Sequence, residues 1–332
     1  MILTAPLVTP EPVDCGGLLI IGDPHVGSRR PGRRVETDWP APILAKLDAC
    51  VEIANAGDLQ AVFLGDLFDA PVEPDERLKA RLVRLLKRFR RRPLANVGNH
   101  DIANAALSDG DTLATFALAD VLDVVAQSGP VAQFRIDGRR IGLGMTPYGQ
   151  PIPTSIAGHV PGAEASVWLT HYDIAFGASY PGAIAPFPID ACDLVVNGHV
   201  HASKPPIRAG ETLWCNPGNI TRQSTDLAGH EPCAWILGAD LALRPVPLPH
   251  ARDAFDLTGR LVRPARNAAA ERLESTFVSL LEAEAPADLG RTDDAAYLRE
   301  AMEARFAEEK TPKPLQALLR SLLAEAVERH GA

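Results

Sequence analysis

The chain has 332 residues, enough for one large domain with a small appendage or for two ordinary domains. Its 46% hydrophobic and 23% charged content is that of a globular protein with a sizeable core, and no apolar run approaches the ~20 residues needed to cross a bilayer. A net charge of −9 lacks the global basic footprint usual in a nucleic-acid binder, and five scattered cysteines (Cys15, Cys50, Cys192, Cys215, Cys233) make neither a disulfide framework nor a thiolate metal site.

In chain order, the Pro-rich start to Gly17 has no basic region and no long apolar core, so no signal peptide is expected, and the protein is read as cytoplasmic with reduced thiols. Leu18–Ile21 is predicted as a buried strand, Ala41–Ala56 as a helix, Ala61–Leu64 as a strand, Asp75–Phe89 as a helix and Leu94–Val97 as a third strand. This alternation argues for a layered α/β domain. From Val121 onward the pattern changes to short strands: Val131–Ile136, Arg140–Leu143, Val167–Thr170, Leu194–Val196, Thr212–Cys215, Ala234–Leu237 and Leu241–Val246. Asp137-Gly138 and Ala239-Asp240 sit where hairpin turns belong. Thr146 to Ala165 has the look of an active-site loop. The strand signal ends after Pro245–Pro249, and about Ala265 to His330 reads as three helices. The expected organisation is therefore a catalytic domain over 1–250 and a helical region over 251–332.

Five short motifs follow apolar runs that should be strands. They are Asp23-Pro24-His25 after LLIIG, Gly65-Asp66-Leu67-Phe68-Asp69 closing AVFLG, and Gly98-Asn99-His100-Asp101 closing LANVG. Thr170-His171 closes VWLT, and Gly198-His199-Val200-His201 closes LVVNG. In an α/β sheet the carboxyl ends of the strands share one edge, where ligands bind, so these residues would gather in one cleft. A single Asp-x-His means little, but five such motifs in order, holding five of the nine histidines, point to a metal centre. Mixed carboxylate, amide and imidazole donors suit Mn, Fe or Zn rather than calcium.

These blocks resemble the calcineurin-like metallophosphoesterases, over residues 18 to about 220. The resemblance implies a four-layer α/β/β/α sandwich, with the small helical C-terminal segment appended, and two divalent ions, Mn foremost with Fe or Zn as alternatives. One ion would be held by Asp23, His25 and His201, the other by Asn99, His171 and His199, with Asp66 bridging a pair ~3.5–4 Å apart. It also implies that His100 serves the substrate, stabilising phosphoryl oxygens or protonating the leaving oxygen, with Asp69 orienting its ring. Such a pair would activate water for attack on phosphorus. The blocks Asp23-Pro24-His25-Val26-Gly27 and Asn216-Pro217-Gly218-Asn219-Ile220-Thr221-Arg222 are similar to those of SbcD-like DNA repair exonucleases, although Asn219 stands where serine is usual.

Locally the chain is basic twice. Arg29, Arg30, Arg33 and Arg34 follow the first motif and are candidates for contacting substrate phosphate. Nine basic residues lie from Arg77 to Arg92; Arg77, Arg81, Arg84, Arg88 and Arg91 share one helix face, either to neutralise a nucleic-acid backbone or as a solvated face. Tyr148, Tyr172, Phe176 and Tyr180 lie near the cleft by sequence and are candidates for base stacking or for core packing. Leu315, Leu318, Leu319, Leu322 and Leu323 form a C-terminal apolar stripe. It packs on its own neighbours or, as the resemblance implies, docks an SMC-like ATPase.

The expected protein is thus a two-metal phosphodiesterase with no membrane segment, foremost a DNA exonuclease or endonuclease. One alternative keeps the chemistry on a nucleotide, another small molecule or a phosphoprotein; another is a metal-free scaffold. Arrayed phosphate contacts beyond the metals favour DNA, whereas a closed pocket favours a small substrate.

Overall fold

The computed structural model describes residues 2–3, 11–177 and 182–256, with Met302, Glu303, Phe306, Lys313, Gln316, Leu319, Arg320, Ser321 and Leu323. Strands β1 (Ile2–Leu3), β2 (Val13–Asp14), β3 (Gly17–Ile21), β4 (Leu59–Phe63), β5 (Leu94–Asn96), β6 (Asp123–Val125) and β7 (Gly129–Ile136) come first. They are followed by β8 (Arg139–Thr146), β9 (Ala165–His171), β10 (Leu194–Gly198), β11 (Lys204–Ala209), β12 (Thr212–Asn216), β13 (Cys233–Leu237) and β14 (Leu243–Pro247). Helices α1 (Pro40–Ala56), α2 (Glu76–Leu86) and α3 (Thr112–Leu118) separate the early strands.

Two seven-stranded sheets form among the described residues, in the orders β1-β6-β5-β4-β3-β13-β14 and β11-β12-β10-β9-β8-β7-β2. In the first sheet β3, β4, β5, β6 and β1 run parallel, and β13 joins β3 antiparallel. In the second, β8, β9, β10 and β12 run parallel. Successive side chains of a strand alternate between faces, which decides the layering. Leu18, Ile20 and Val62 point into the core between the sheets, with Ile141, Leu143, Val167, Leu169, Leu194 and Val196 opposite them. Leu19, Ile21, Ala61 and Phe63 point the other way, onto the buried faces of α1, α2 and α3. The expected α/β sandwich of two sheets is therefore the architecture, with α1, α2 and α3 on the first sheet; among the described residues no helix forms the fourth layer of the expected α/β/β/α order. Among the described residues, the outer face of the second sheet, with Trp168, Val195 and Trp214, is covered by Ile156, Ile174, Ile189 and Cys192 from loops.

Local chemistry explains several boundaries. Asp75 caps α2, its Oδ1 accepting from Arg77 N at 2.8 Å and Leu78 N at 3.2 Å, and Leu78, Leu82, Leu85 and Leu86 are its buried stripe. Asp137 and Gly138, at φ 48° and 82°, make the tight turn between β7 and β8. Helix α3 and strand β11 have no counterpart in the expected elements. The first has 7 residues, too few for a helical period to declare itself, and the second contains Pro205 and Pro206, tolerated because β11 is a sheet edge.

The chain divides into two compact units, Met1–Asp256 and Leu257–Ala332. The segment after β14 stays with the first because Leu248 N donates to Pro232 O, while Val35 N donates to Ala254 O and Asp256 N to Arg33 O. In the second unit the described positions are helical, Phe306 and Leu323 are buried, and Arg320 lies over Phe306 while pairing with Glu303 at 2.6 Å. Most of the three expected C-terminal helices, including Leu315, Leu318 and Leu322, lies outside the described residues, as does Tyr180. No helix among the described residues is long and apolar enough to cross a membrane.

Candidate metal centre

Every expected ligand sits at or just beyond the carboxyl end of a parallel strand. Asp23 and His25 follow β3, Asp66 follows β4, Asn99 follows β5, His171 ends β9, and His199 and His201 follow β10. Strands β9 and β10 are in register with His171 opposite Gly198, which brings the last two motifs side by side. The turns that aim these side chains are strained. Asp23, His25, Asp66 and His199 all have positive φ, at 34°, 47°, 46° and 74°, a conformation non-glycine residues hold only where the surroundings enforce it. Two glycines make the room. A Cβ on Gly98 would lie 2.1 Å from Asp66 Oδ1, and one on Gly65, itself at φ 129°, 2.3 Å from His171 Nδ1.

Asp66 is central and buried. Its Oδ1 accepts from His100 N at 2.8 Å, while Oδ2 accepts no hydrogen bond although His171 Nε2 is 3.1 Å away and His25 Nε2 3.6 Å. On one side, His25 Nε2 and His201 Nε2 approach to 3.0 Å. On the other, Asn99 Oδ1 lies 2.9 Å from His199 Nδ1 and 3.2 Å from His171 Nε2. Asp23 spans the base, its Oδ2 accepting from His199 N at 3.1 Å and its unpartnered Oδ1 3.4 Å from His171 Nδ1. Asp66, His171 and His199 form one cluster with metal-ligand spacing, and His25, Asp66 and His100 another, so Asp66 is shared.

The outward ring nitrogens decide what the inward ones can do. His171 Nδ1 faces Leu64 O at 3.1 Å, His199 Nε2 faces Asp173 Oδ1 at 3.1 Å, and His25 Nδ1 faces Asp69 Oδ1 at 3.5 Å. An acceptor on the outer nitrogen places the proton there and leaves the inner nitrogen with a lone pair. On His171 and His199 the inner nitrogens therefore turn lone pairs towards the Asp66 carboxylate and the Asn99 amide oxygen. Carboxylate, amide and imidazole donors meeting at these distances fit a pair of divalent ions.

The titration properties agree. Burial pushes the Asp23 carboxyl up, and repulsion from Asp66 adds to it. Burial acts likewise on Asp66, but His171, His25 and His100 outweigh it and hold that carboxyl well below its ordinary value. Burial alone would lower His171, yet Asp66 and Asp23 carry it up to about 9. Burial, and then His25, lowers His201. Two buried carboxylates beside four imidazoles are balanced by bound positive charge, as protons or as metal.

His100 lies beside this cluster, half-buried, its ring edge-on to that of His25 at 4.7 Å between centroids. Its Nδ1 donates to the main-chain carbonyl of Asp69 at 2.8 Å. Asp69 thus holds the His100 ring through its backbone, whereas its carboxylate faces His25 and accepts from Gln223 Nε2. Asp101 is buried behind the site, accepting from Gly98 N at 2.9 Å and Phe68 N at 3.1 Å; burial and then Asp66 push its carboxyl up to about 7.

The four arginines after the first motif do not act alike. Arg29 is exposed, and Arg30 donates to Glu36 O at 2.9 Å. Arg33 donates to Asp256 O at 3.4 Å. Arg34 corrects the expectation of phosphate contact. It is 4% exposed, pairs with Glu36, donates to Arg222 O at 3.0 Å and stacks on Trp39 and Phe255, so its guanidinium is committed to the interior. The second basic segment is largely neutralised. Arg88 pairs with Asp48 and Glu52, Arg90 and Arg91 with Asp58, Arg92 with Asp120 and Asp123, and Arg81 with Asp38.

Of the expected aromatics, Tyr148 and Tyr172 do border the centre. The Tyr148 ring lies 5.9 Å from that of His199, tilted by 32°, and 5.9 Å from that of Tyr172, whose hydroxyl donates to Gln150 O. Phe176 packs instead against the outer core of the second sheet. Asp173 and Gln223 hold site residues yet were not singled out from sequence. Each stands one or two positions past a motif residue, and only the folded loops bring it back.

No protein-family model matches the chain, and no curated protein matches it. Among solved structures it is similar to a 5'-nucleotidase precursor from Thermus thermophilus, with 15% identity and a TM-score of 0.45, over 72% of this chain and 55% of that one. It is also similar to Haemophilus influenzae NAD nucleotidase, with 12% identity and a TM-score of 0.40, over 70% of this chain and 49% of that one. The chain therefore spans about half the length of both, and superpositions this loose carry no conclusion about its chemistry.

Proposed function

We propose that the chain is a two-metal phosphoesterase of the calcineurin-like class whose substrate is a nucleotide or another small phosphate ester. The observation that carries the chemistry is the gathering of six donor residues around a seventh, the shared carboxylate Asp66, from five strand ends. Asp23, His25 and His201 would hold one divalent ion and Asn99, His171 and His199 the other, with manganese the first candidate and iron or zinc compatible. When bound, such a pair supplies a water of lowered pKa and positive charge for the phosphoryl oxygens.

The protein's own groups supply the rest. The Asp69 carbonyl anchors His100 through Nδ1–H, so Nε2 is the nitrogen available to give a proton to the departing oxygen. Tyr148 and Tyr172 offer partly exposed ring faces at the His199 side, suited to a base or aromatic leaving group.

Substrate size is argued from charge. A DNA nuclease needs cations arrayed along the phosphate backbone. Here Arg34 is buried, and Arg88, Arg90, Arg91 and Arg92 are paired with carboxylates. This favours the small-substrate reading over the DNA reading. A manganese-supplemented assay comparing a chromogenic phosphodiester, nucleotides, and single- and double-stranded DNA at low and high salt tests it. Hydrolysis of the small esters at rates little changed by salt is expected. Preferred cleavage of DNA that collapses with salt would overturn the substrate assignment, and the absence of both hydrolysis and metal uptake would overturn the enzyme assignment.

A further inference from the structure

We propose that Asp173 is a positioning residue that fixes the tautomer of His199 and thereby sets the affinity of the cation site formed with Asn99 and His171; the inference rests on the two-metal reading above. Asp173 lies outside the five motifs. Its Oδ1 is 3.1 Å from His199 Nε2, and the opposite nitrogen, Nδ1, is 2.9 Å from Asn99 Oδ1.

An imidazole flanked by two oxygen acceptors has one proton to give when neutral. If the proton sits on Nδ1, it bonds to Asn99, and both the nitrogen lone pair and that amide oxygen are lost to a metal. If it sits on Nε2, it bonds to Asp173, and both donors are free. A carboxylate is the stronger acceptor and draws the proton outward.

Of the outward nitrogens of His171 and His25, only the first is independent of a side chain. His171 uses the Leu64 carbonyl, which no substitution removes, and His25 uses Asp69, inside the second motif. Asp173 is itself held in place. Its carbonyl accepts from Ile184 N at 2.8 Å, and Ala175 N donates to Ile184 O at 2.9 Å, a short ladder closing the loop after β9.

The test is manganese titration of the full chain by calorimetry, for the wild type, Asp173→Ala and Asp173→Asn, with thermal melts in chelator to compare their folding. The wild type should take up two Mn²⁺. Asp173→Ala should keep one at unchanged affinity and bind the other roughly 10–100-fold more weakly. Asp173→Asn, which retains an acceptor oxygen, should recover most of the loss. Unchanged affinities in Asp173→Ala, equal weakening of both sites, or no recovery in Asp173→Asn would overturn the positioning role. A wild-type protein that binds no Mn²⁺ would instead overturn the metal centre on which the inference rests.

Discussion

Lys46 is a lysine in the wrong place for a charge, and its removal should stabilise the protein. It lies on α1, 2% exposed, near Arg34 and Arg222, which are also buried. Burial, and then those two guanidinium groups, bring its pKa down from 10.5 to about 7, with Glu36 opposing. The sign follows from proton binding. Between about pH 7 and pH 10.5 the unfolded chain binds this proton and the folded chain does not, so stability rises with pH across that window. The penalty is fully present below the folded pKa and amounts to about 5 kcal/mol, falling to about 2 kcal/mol near pH 9. Lys46→Met keeps most of the buried volume and has no charge. Urea unfolding of both proteins from about pH 5 to about pH 9.5 should show the variant more stable, by a margin that shrinks as pH rises. A margin that stays flat with pH, or a variant less stable at about pH 6, would refute the argument that a buried, crowded ammonium is at fault.

Three further outcomes follow from the centre itself. Gly98→Ala should cost most of the metal uptake and activity, because its Cβ would need Asp66 to move by about 1 Å to restore a normal contact; metal analysis after gel filtration would show it. Asp66→Ala should lose both ions, and a variant retaining either would show that the carboxylate is not shared. His100→Ala should retain two ions by the same analysis while turnover falls roughly 10²–10⁴-fold; loss of one ion would instead make His100 a ligand, as its spacing to His25 and Asp66 permits.

Much of the site was legible in the sequence because its geometry is short-ranged. A run such as LLIIG makes a buried strand, and the residues after it must lie at that strand's carboxyl end. The ligand types then declare themselves. The basic segments were not legible in the same way. Five arginines on one face of the second basic segment look alike from spacing, but Arg81, Arg88 and Arg91 among them pair with Asp38, Asp48 and Asp58 from neighbouring elements, which no local pattern reveals.

The sequence by itself determined the strand ends, the donor types and their order along the chain, since hydrophobic period and turn chemistry act over a few residues. Only the tertiary structure decided which nitrogen of each imidazole faces inward, that the Asp69 carboxylate serves His25 while its carbonyl serves His100, and that Arg34 is interior. Those outcomes depend on acceptors and charges far apart in sequence, brought within about 3–4 Å by the order of strands in two sheets.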